Sequence, residues 1–362
     1  MSLVTASSPP LKILEGPYLR DLLAQPEAIA ESVRRLEVSA SLARISAELR
    51  AGEIDRIVLT GMGSSLHALY PLQLALINAG HLAVAVETAE LVHAQIALLT
   101  PSTLLVVVSQ SGRSAEIVRL LERLVERRRK HLGPPRVIGV TNSVDSPLAQ
   151  KCETVVLLRA GEEFSVSCKT YLATLAALHW LGVVLDNGDE SAARSTLLDG
   201  ADEVARYLAE WTSLLSQVPS AISGANHLFL TGRGASLAAV STGALILKES
   251  VRIHAEGMSS PAFRHGPLEM IRSDVAVVIF AGDPATAALN EQLAKDIRAA
   301  GGHATLISEH EPAGVFRLAA GPAEIRPLLE MLPLQMISLA LAVKQQREPG
   351  RFERASKITL PD

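Results

Sequence analysis

The sequence predicts an α/β protein of two doubly wound parallel sheets, one in each half of the chain and related by internal duplication. Three observations carry that prediction. Short apolar runs alternate with amphipathic stretches of about ten to fifteen residues, the pattern of strands with crossover helices. The run Leu104 to Val108 is apolar throughout, as a strand buried on both faces of a parallel sheet must be. Finally, Ile57-Val58-Leu59-Thr60-Gly61-Met62-Gly63-Ser64-Ser65-Leu66 is echoed by Leu228-Phe229-Leu230-Thr231-Gly232-Arg233-Gly234-Ala235-Ser236-Leu237. A helix and then an apolar strand follow each copy, so a duplicated unit is the simplest reading.

In order along the chain, Met1 to Pro17 holds Ser, Thr and a Pro pair and reads as a flexible arm. Leu19 to about Arg50 carries apolar residues at helical spacing, and Pro26 opens a second helix at its first turn. Arm and helices make up 1–50. Ile57 to Leu59 is a strand running into Gly61-Met62-Gly63-Ser64-Ser65, with a helix from about Leu66. Val84 to Val86, Leu104 to Val108, Val137 to Val140 and Val155 to Leu158 are the next strands, completing a first domain over 51–188. The acidic, turn-rich Asp186 to Glu190 is the expected linker. A helix over roughly Ala201 to Leu215 and a strand from Val275 to Phe280 belong to a second domain, 189–350, and 351–362 form a tail.

Composition narrows the function. A chain of 362 residues can bury two substantial cores. Its net charge of −4 favours neither nucleic acid nor an anionic membrane, and the basic run Arg127-Arg128-Arg129-Lys130 closes a predicted helix, where cations suit the dipole. The N-terminal segment is too short, and has no basic helix, for a helix-turn-helix domain. Cys152 and Cys168 are the only cysteines, which excludes a disulfide framework and fits a reducing cytoplasm. No signal peptide opens the sequence, and no apolar run looks long enough to span a bilayer. Aromatic residues at 3% are too few for a base-stacking or carbohydrate platform. The expectation is a soluble cytoplasmic protein with a small-molecule ligand, no metal and no cofactor.

The candidate ligand site is the turn Ser109-Gln110-Ser111-Gly112-Arg113-Ser114, where the Leu104 strand meets the next helix. Gly112 allows a tight turn, and Ser114 can cap the helix beginning near Ala115. Hydroxyls, one amide and unpaired backbone N–H groups converge at a positive helix terminus, which suits a dianion such as phosphate. Gly63, Ser64 and Ser65 end another strand of the same sheet. Ligands bind such sheets at strand carboxyl ends, where strand order reverses. The second half instead ends its strand in Ala281-Gly282-Asp283-Pro284, and Asp283 would repel phosphate.

Paired GxGSS-like and SQSG-like turns in two halves resemble the sugar isomerase (SIS) domain. More narrowly, the chain from about Tyr18 to Asp362 resembles the isomerase part of glucosamine-6-phosphate synthase and the type II glucosamine-6-phosphate deaminases. Besides Ser109-Gln110-Ser111-Gly112, the resemblance rests on Glu163-Phe164-Ser165-Val166 leading to Lys169, and on Leu247-Lys248-Glu249 with Ile253-His254-Ala255-Glu256. Arg264-His265-Gly266-Pro267-Leu268 and Ala355-Ser356-Lys357-Ile358-Thr359 complete it. It implies two flavodoxin-like SIS subdomains binding a hexose 6-phosphate. It also implies Glu249 as enolisation base, His265 as the ring-opening group, and Lys357 as the amine that forms a Schiff base at the ketose C2. In the synthases the histidine loop enters the neighbouring subunit's site, so a homodimer with shared active sites is implied.

Proton transfer between C1 and C2 of an open-chain sugar phosphate does need a carboxylate base and a ring-opening acid or base. By the residues alone, Glu249 could face solvent, His265 could be a surface loop residue, and Lys357 could be a frayed-end lysine. Glu163, Val166 and Lys169 fall in the loop that closes over the sugar in the family; Lys169 reads equally as a ligand or as a helix-start surface lysine. Two departures stand out. Ile246 occupies the place of a second synthase lysine, and the lysine of the Ser167-Cys168-Lys169-Thr170 loop comes one position early. With no glutaminase segment and no N-terminal cysteine nucleophile in the sequence, the expected reaction is glutamine-independent deamination coupled to aldose–ketose isomerisation. Fructosamine-phosphate cleavage, simple isomerisation and a catalytically silent sugar-phosphate sensor are the alternatives.

Overall fold

The computed structural model describes residues 11–130 and 132–354. A 3₁₀ turn at Leu11–Leu14 leads into α1 (Pro17–Leu23), α2 (Gln25–Arg34) and α3 (Ala40–Arg50). Then come β1 (Arg56–Gly61), α4 (Ser64–His67), α5 (Leu69–Asn78), β2 (Ala83–Glu87) and α6 (Thr88–His93). The first sheet is completed by β3 (Thr103–Val108), α7 (Ala115–Arg129), β4 (Arg136–Thr141), α8 (Pro147–Lys151) and β5 (Thr154–Leu157). Helices α9 (Lys169–Leu185), α10 (Glu190–Ala209), α11 (Trp211–Ser216) and α12 (Ser220–Ser223) lead to the second half. There follow β6 (His227–Gly232), α13 (Leu237–Val251), β7 (Ala255–Ser259) and α14 (Ser260–Arg264). The last elements are β8 (Val275–Phe280), α15 (Pro284–Ala299), β9 (His303–Ile307) and α16 (Arg326–Gln345).

Both sheets are parallel, with orders β2-β1-β3-β4-β5 and β7-β6-β8-β9. The predicted fold class holds. Each sheet reverses its strand order beside its first strand, so the switch points lie at the carboxyl ends of β1 and β3 and of β6 and β8. Every side chain of β3 and of β8 is buried. Strands alternate their side chains between faces, so each sheet needs two layers to cover it. Val58, Leu105 and Val107 pack outward with Leu91, Leu120 and Leu124, and Phe229, Val277 and Ile279 pack outward with Phe263 and Leu293. The inner faces share one continuous core with α5, α9, α13 and α16.

Four expectations need correction. The arm is ordered from Leu11, and Leu14 is fully buried; 1–10 lie outside the described residues. The helix expected over 201–215 starts earlier, at Glu190 capped by the Asp189 side chain, and breaks at Glu210. Ser114 stands at the N-cap of α7 but makes no side-chain capping bond. Lastly, α16 is long and apolar enough to cross a membrane by length and composition, contrary to the sequence reading. Because 83% of its apolar window is buried inside the protein, it is a core helix here.

Polar side chains on α16 are paired across the core. Gln335 exchanges amide hydrogen bonds with Gln25 of α2, and Ser338 bonds the Tyr18 hydroxyl at 2.9 Å. Glu330 accepts from Ser236 Oγ at 2.7 Å, but its other oxygen has no hydrogen-bond partner among the described residues. Burial pushes the Glu330 carboxyl up to about 7, against the Ser236 hydrogen bond and the Arg326 charge. With the folded value above the unfolded one, the contribution to stability is complete below the ordinary carboxyl range and is lost as pH rises through about 7. Glu330→Gln should therefore flatten the fall in stability between about pH 5 and 8 and raise stability at the alkaline end by up to roughly 3 kcal/mol, at about 1.4 kcal/mol per pH unit. Urea unfolding across that range checks this; parallel wild-type and variant curves would count against it.

Candidate functional site

At the first switch point, two loops face each other. Gly61 ends β1 so tightly that a Cβ there would lie 2.9 Å from the Leu66 nitrogen. Gly63 has φ +50° and starts α4, with Ser64 and Ser65 half-buried in its first turn. Opposite, Ser109 is buried and its hydroxyl accepts the Gly112 N–H at 3.1 Å, while the Ser111 hydroxyl accepts the Arg113 N–H at 3.3 Å. Each hydroxyl thus holds the turn with a lone pair, and neither donates its own hydrogen to another described residue. Gly112 has φ +61°, and a Cβ there would meet Ser146 Oγ at 2.3 Å. The turn is fixed, and the uncapped start of α7 opens onto it.

A second group of residues gathers around α1. Glu163 is buried, and its carboxylate accepts the N–H groups of Cys168 and Thr170 and the Thr170 hydroxyl at 2.7–3.0 Å. It therefore caps the start of α9 and organises the loop from β5. Lys169 pairs with Asp21 at 3.0 Å, with side chains 12% and 5% exposed. It is a helix-start lysine, largely covered and paired rather than free at the surface. Asp21 also accepts the Phe164 N–H, and Val166 is buried. Asp21 was missed in the sequence; its signal was the single carboxylate of the short segment Pro17 to Leu23, beside Arg20.

The C-terminal segment runs into the same region. The Ser165 hydroxyl donates to the Gly350 carbonyl, and the Gly350 N–H to the Ser250 carbonyl of α13. Arg252, in left-handed conformation at the end of α13, holds Glu353 at 2.6 Å. Glu249, half-buried, is thus one residue from the point where the segment docks. Tyr18 marks the centre. Burial pushes its phenol far above the usual range, and the negative charges of Glu249 and Glu163 push it further. Ile246, in the place of the family lysine, is buried in the core. Lys357 lies outside the described residues. His265 is exposed beyond α14, beside Gly266 at φ +137°, and makes no hydrogen bond or ion pair through its ring among the described residues.

Residues 53–184 and 221–344 match the family model for the SIS domain. The chain belongs to the SIS domain family. Among its relatives, the isomerizing glutamine–fructose-6-phosphate aminotransferase of Streptomyces coelicolor is 26% identical over 361 residues, covering 94% of this chain and 58% of that protein. The chain thus spans little more than half the length of such relatives. The C-terminal domain of the Francisella tularensis glucosamine-fructose-6-phosphate aminotransferase superposes with a TM-score of 0.80 at 22% identity, over 93% of this chain and 98% of that one. Glucosamine-6-phosphate deaminase from Thermotoga maritima gives 0.77 at 15% identity, over 96% and 100%.

Between the two SIS halves, α4 packs on α13, and His67 Nδ1 lies 3.2 Å from Thr242 Oγ1. A cavity of about 370 Å³ opens there, lined by Gly63, His67, Glu87, Lys248 and Glu256. Burial, with the Lys248 charge, lowers the His67 imidazole to about 4, so it is neutral at physiological pH. His67 was also missed in the sequence, although it lies in the same helical turn as Ser64.

The anion reading makes a direct prediction. Replacing both Ser109 and Ser111 with alanine should weaken binding of a sugar phosphate by roughly 2–4 kcal/mol, taking about 1.5–3 kcal/mol for each charged hydrogen bond with incomplete additivity. The unphosphorylated sugar should bind nearly as before. Calorimetric titration of the two ligands checks this, and equal losses for both would argue against a phosphate site.

Proposed function

We propose that the chain is a cytoplasmic, glutamine-independent phosphosugar deaminase-isomerase. It would convert a 2-amino-2-deoxyaldose 6-phosphate and water into the ketose 6-phosphate and ammonia. The observation that carries this reading is the docking of the C-terminal segment beside Glu249, through Ser165, Ser250 and Arg252, within the same SIS protein that carries the serine turn. Relatives named for fructose 6-phosphate and glucosamine 6-phosphate support the substrate class. Neither cysteine is prepared as a glutaminase nucleophile: Cys168 is buried, and burial pushes the Cys152 thiol up to about 11.

In this reading Gly63, Ser64, Ser65, Ser109, Gln110, Ser111 and Ser114 hold the phosphate. His265, supplied by the second subunit of a homodimer, opens the pyranose. Glu249 removes the C2 proton, leaving an enolamine, and protonation at C1 gives the C2 iminium. Lys357 displaces ammonia to form a Schiff base, and water releases the ketose. Glu163, Val166 and Lys169, on the loop that closes over the sugar in the family, complete the sugar-binding set. A sensor is the second reading, favoured by Ile246, which puts a core side chain where the synthases place a lysine.

An ammonia-release assay across amino-sugar and fructosamine phosphates separates the readings. Wild-type protein should release ammonia and exchange the C2 proton with solvent. Glu249→Gln should slow that exchange by at least about 10²-fold, while borohydride still traps an added ketose phosphate on Lys357. Lys357→Arg keeps the charge but loses the usable lone pair, so trapping should vanish while phosphate affinity remains. Tight binding of fructose 6-phosphate without exchange or amine release from any panel member would make the protein a sensor.

The shared site can be tested by complementation. Glu249→Gln and His265→Ala proteins, each inactive, should regain part of the activity on mixing, because a hybrid dimer holds one site with both intact groups. Zero activity after proven subunit exchange would rule out sharing.

A further inference from the structure

The second sheet has a switch point of its own, and it opens on a cavity of about 640 Å³. One side is the repeated turn Gly234-Ala235-Ser236 with Asp283, the counterparts of the serine loops in the first half. The opposite walls are apolar and come from both halves, among them Leu72 and Ala75 of α5, Leu175 of α9 and Leu328 of α16. At its floor lies Glu330, 1% exposed, with one carboxylate oxygen on Ser236 and the other without a partner among the described residues.

Carboxylates predominate among the charged residues that line this cavity. Asp283 and Glu324 add carboxylates to the lining. The guanidinium of Arg326 is engaged by Glu309 at 3.2 Å. Burial holds His179 below its ordinary range, only partly offset by Glu324, so it brings no positive charge at neutral pH. Asp283 already serves α15, accepting the Ala285 N–H at 2.8 Å, while Glu330 keeps one buried oxygen with no hydrogen-bond partner among the described residues. Glu330, a buried and half-satisfied carboxylate in the lining of this cavity, lacks a hydrogen-bond donor, and an ammonium group supplies both donor and countercharge.

We propose that this cavity is a second ligand site, which takes a small primary amine with an apolar body as its ammonium ion and pairs it with Glu330. The site is separate from the serine turn and does not depend on the reaction proposed there. The duplicated turn thus carries a carboxylate, Asp283, where the first half carries serines.

The test uses the full chain and three ring compounds of one size: cyclohexylmethylamine, cyclohexylmethanol and cyclohexanecarboxylate. Ligand-observed NMR titration at neutral pH should give the amine an affinity at least about tenfold above the alcohol, with no binding of the carboxylate. Glu330→Gln should lower amine affinity by at least about tenfold. Ala75→Trp, which adds bulk at an exposed wall position, should do the same without touching the carboxylate. Circular dichroism establishes that each variant is folded; if Glu330→Gln is not, Ala75→Trp decides alone. An amine that binds no better than the alcohol, or binds folded variants as it binds wild type, overturns the proposal.

Discussion

Helix α16 is buried on nearly every side, and that constraint ties the two halves into one body. An apolar helix needs partners around its circumference, and α16 finds them in α9, α10, α11, α12 and α13. Those helices come from both sides of the duplication. Its buried polar groups then set its rotation: Gln335 reaches α2, Ser338 reaches Tyr18 of α1, and Glu330 reaches the repeated turn of the second half. An unpaired polar group in such a core costs about 1–3 kcal/mol, so each bond selects one rotation over its neighbours. The positions of both switch points relative to each other follow from this shared helical layer.

On that scaffold the duplicated turns have diverged in chemistry while keeping their place. In the first half, Ser109 and Ser111 hold the turn through their lone pairs, accepting the Gly112 and Arg113 N–H groups. In the second, Asp283 spends its carboxylate on α15, and Ser236 turns inward to Glu330. A parallel sheet places loops and helix starts at its switch point whatever residues occupy them. The fold therefore fixes where a ligand can sit, and the side chains fix its charge.

Much of the fold was legible because its signals are local. Unbroken apolar runs such as Val275 to Phe280 coincide with strand β8, and the echo of the Ile57 segment announced two sheets. What escaped was set by tertiary contact. Helix α10 begins at Glu190 because Asp189 caps it, a signal hidden inside the acidic stretch read as linker. Ser114 has the residue type and backbone angles of a cap without the bond. In the candidate site, the serine turns were readable from composition and position. The buried tasks of Glu163, Lys169 and Asp21 were not, because nothing in a linear sequence says that a carboxylate on α1 meets a lysine nearly 150 residues later.

That network also holds α1 and the segment that follows α16 close to Glu249. The left-handed Gln346 turns the chain after α16, and Gly350, at φ +74°, passes so close to Ser165 that a Cβ would lie 2.1 Å from its hydroxyl. Only glycine permits both that conformation and that approach. The segment is then pinned by Ser250 and Arg252 of α13, while Tyr18 packs against Gly350 from α1. Asp21, one helical turn from Tyr18, holds the start of α9 through Lys169 and the loop after β5 through Phe164. Helix α1, the loop and the C-terminal segment are therefore one mechanical unit above α13. A change in any of them shifts the surroundings of Glu249 without touching a ligand.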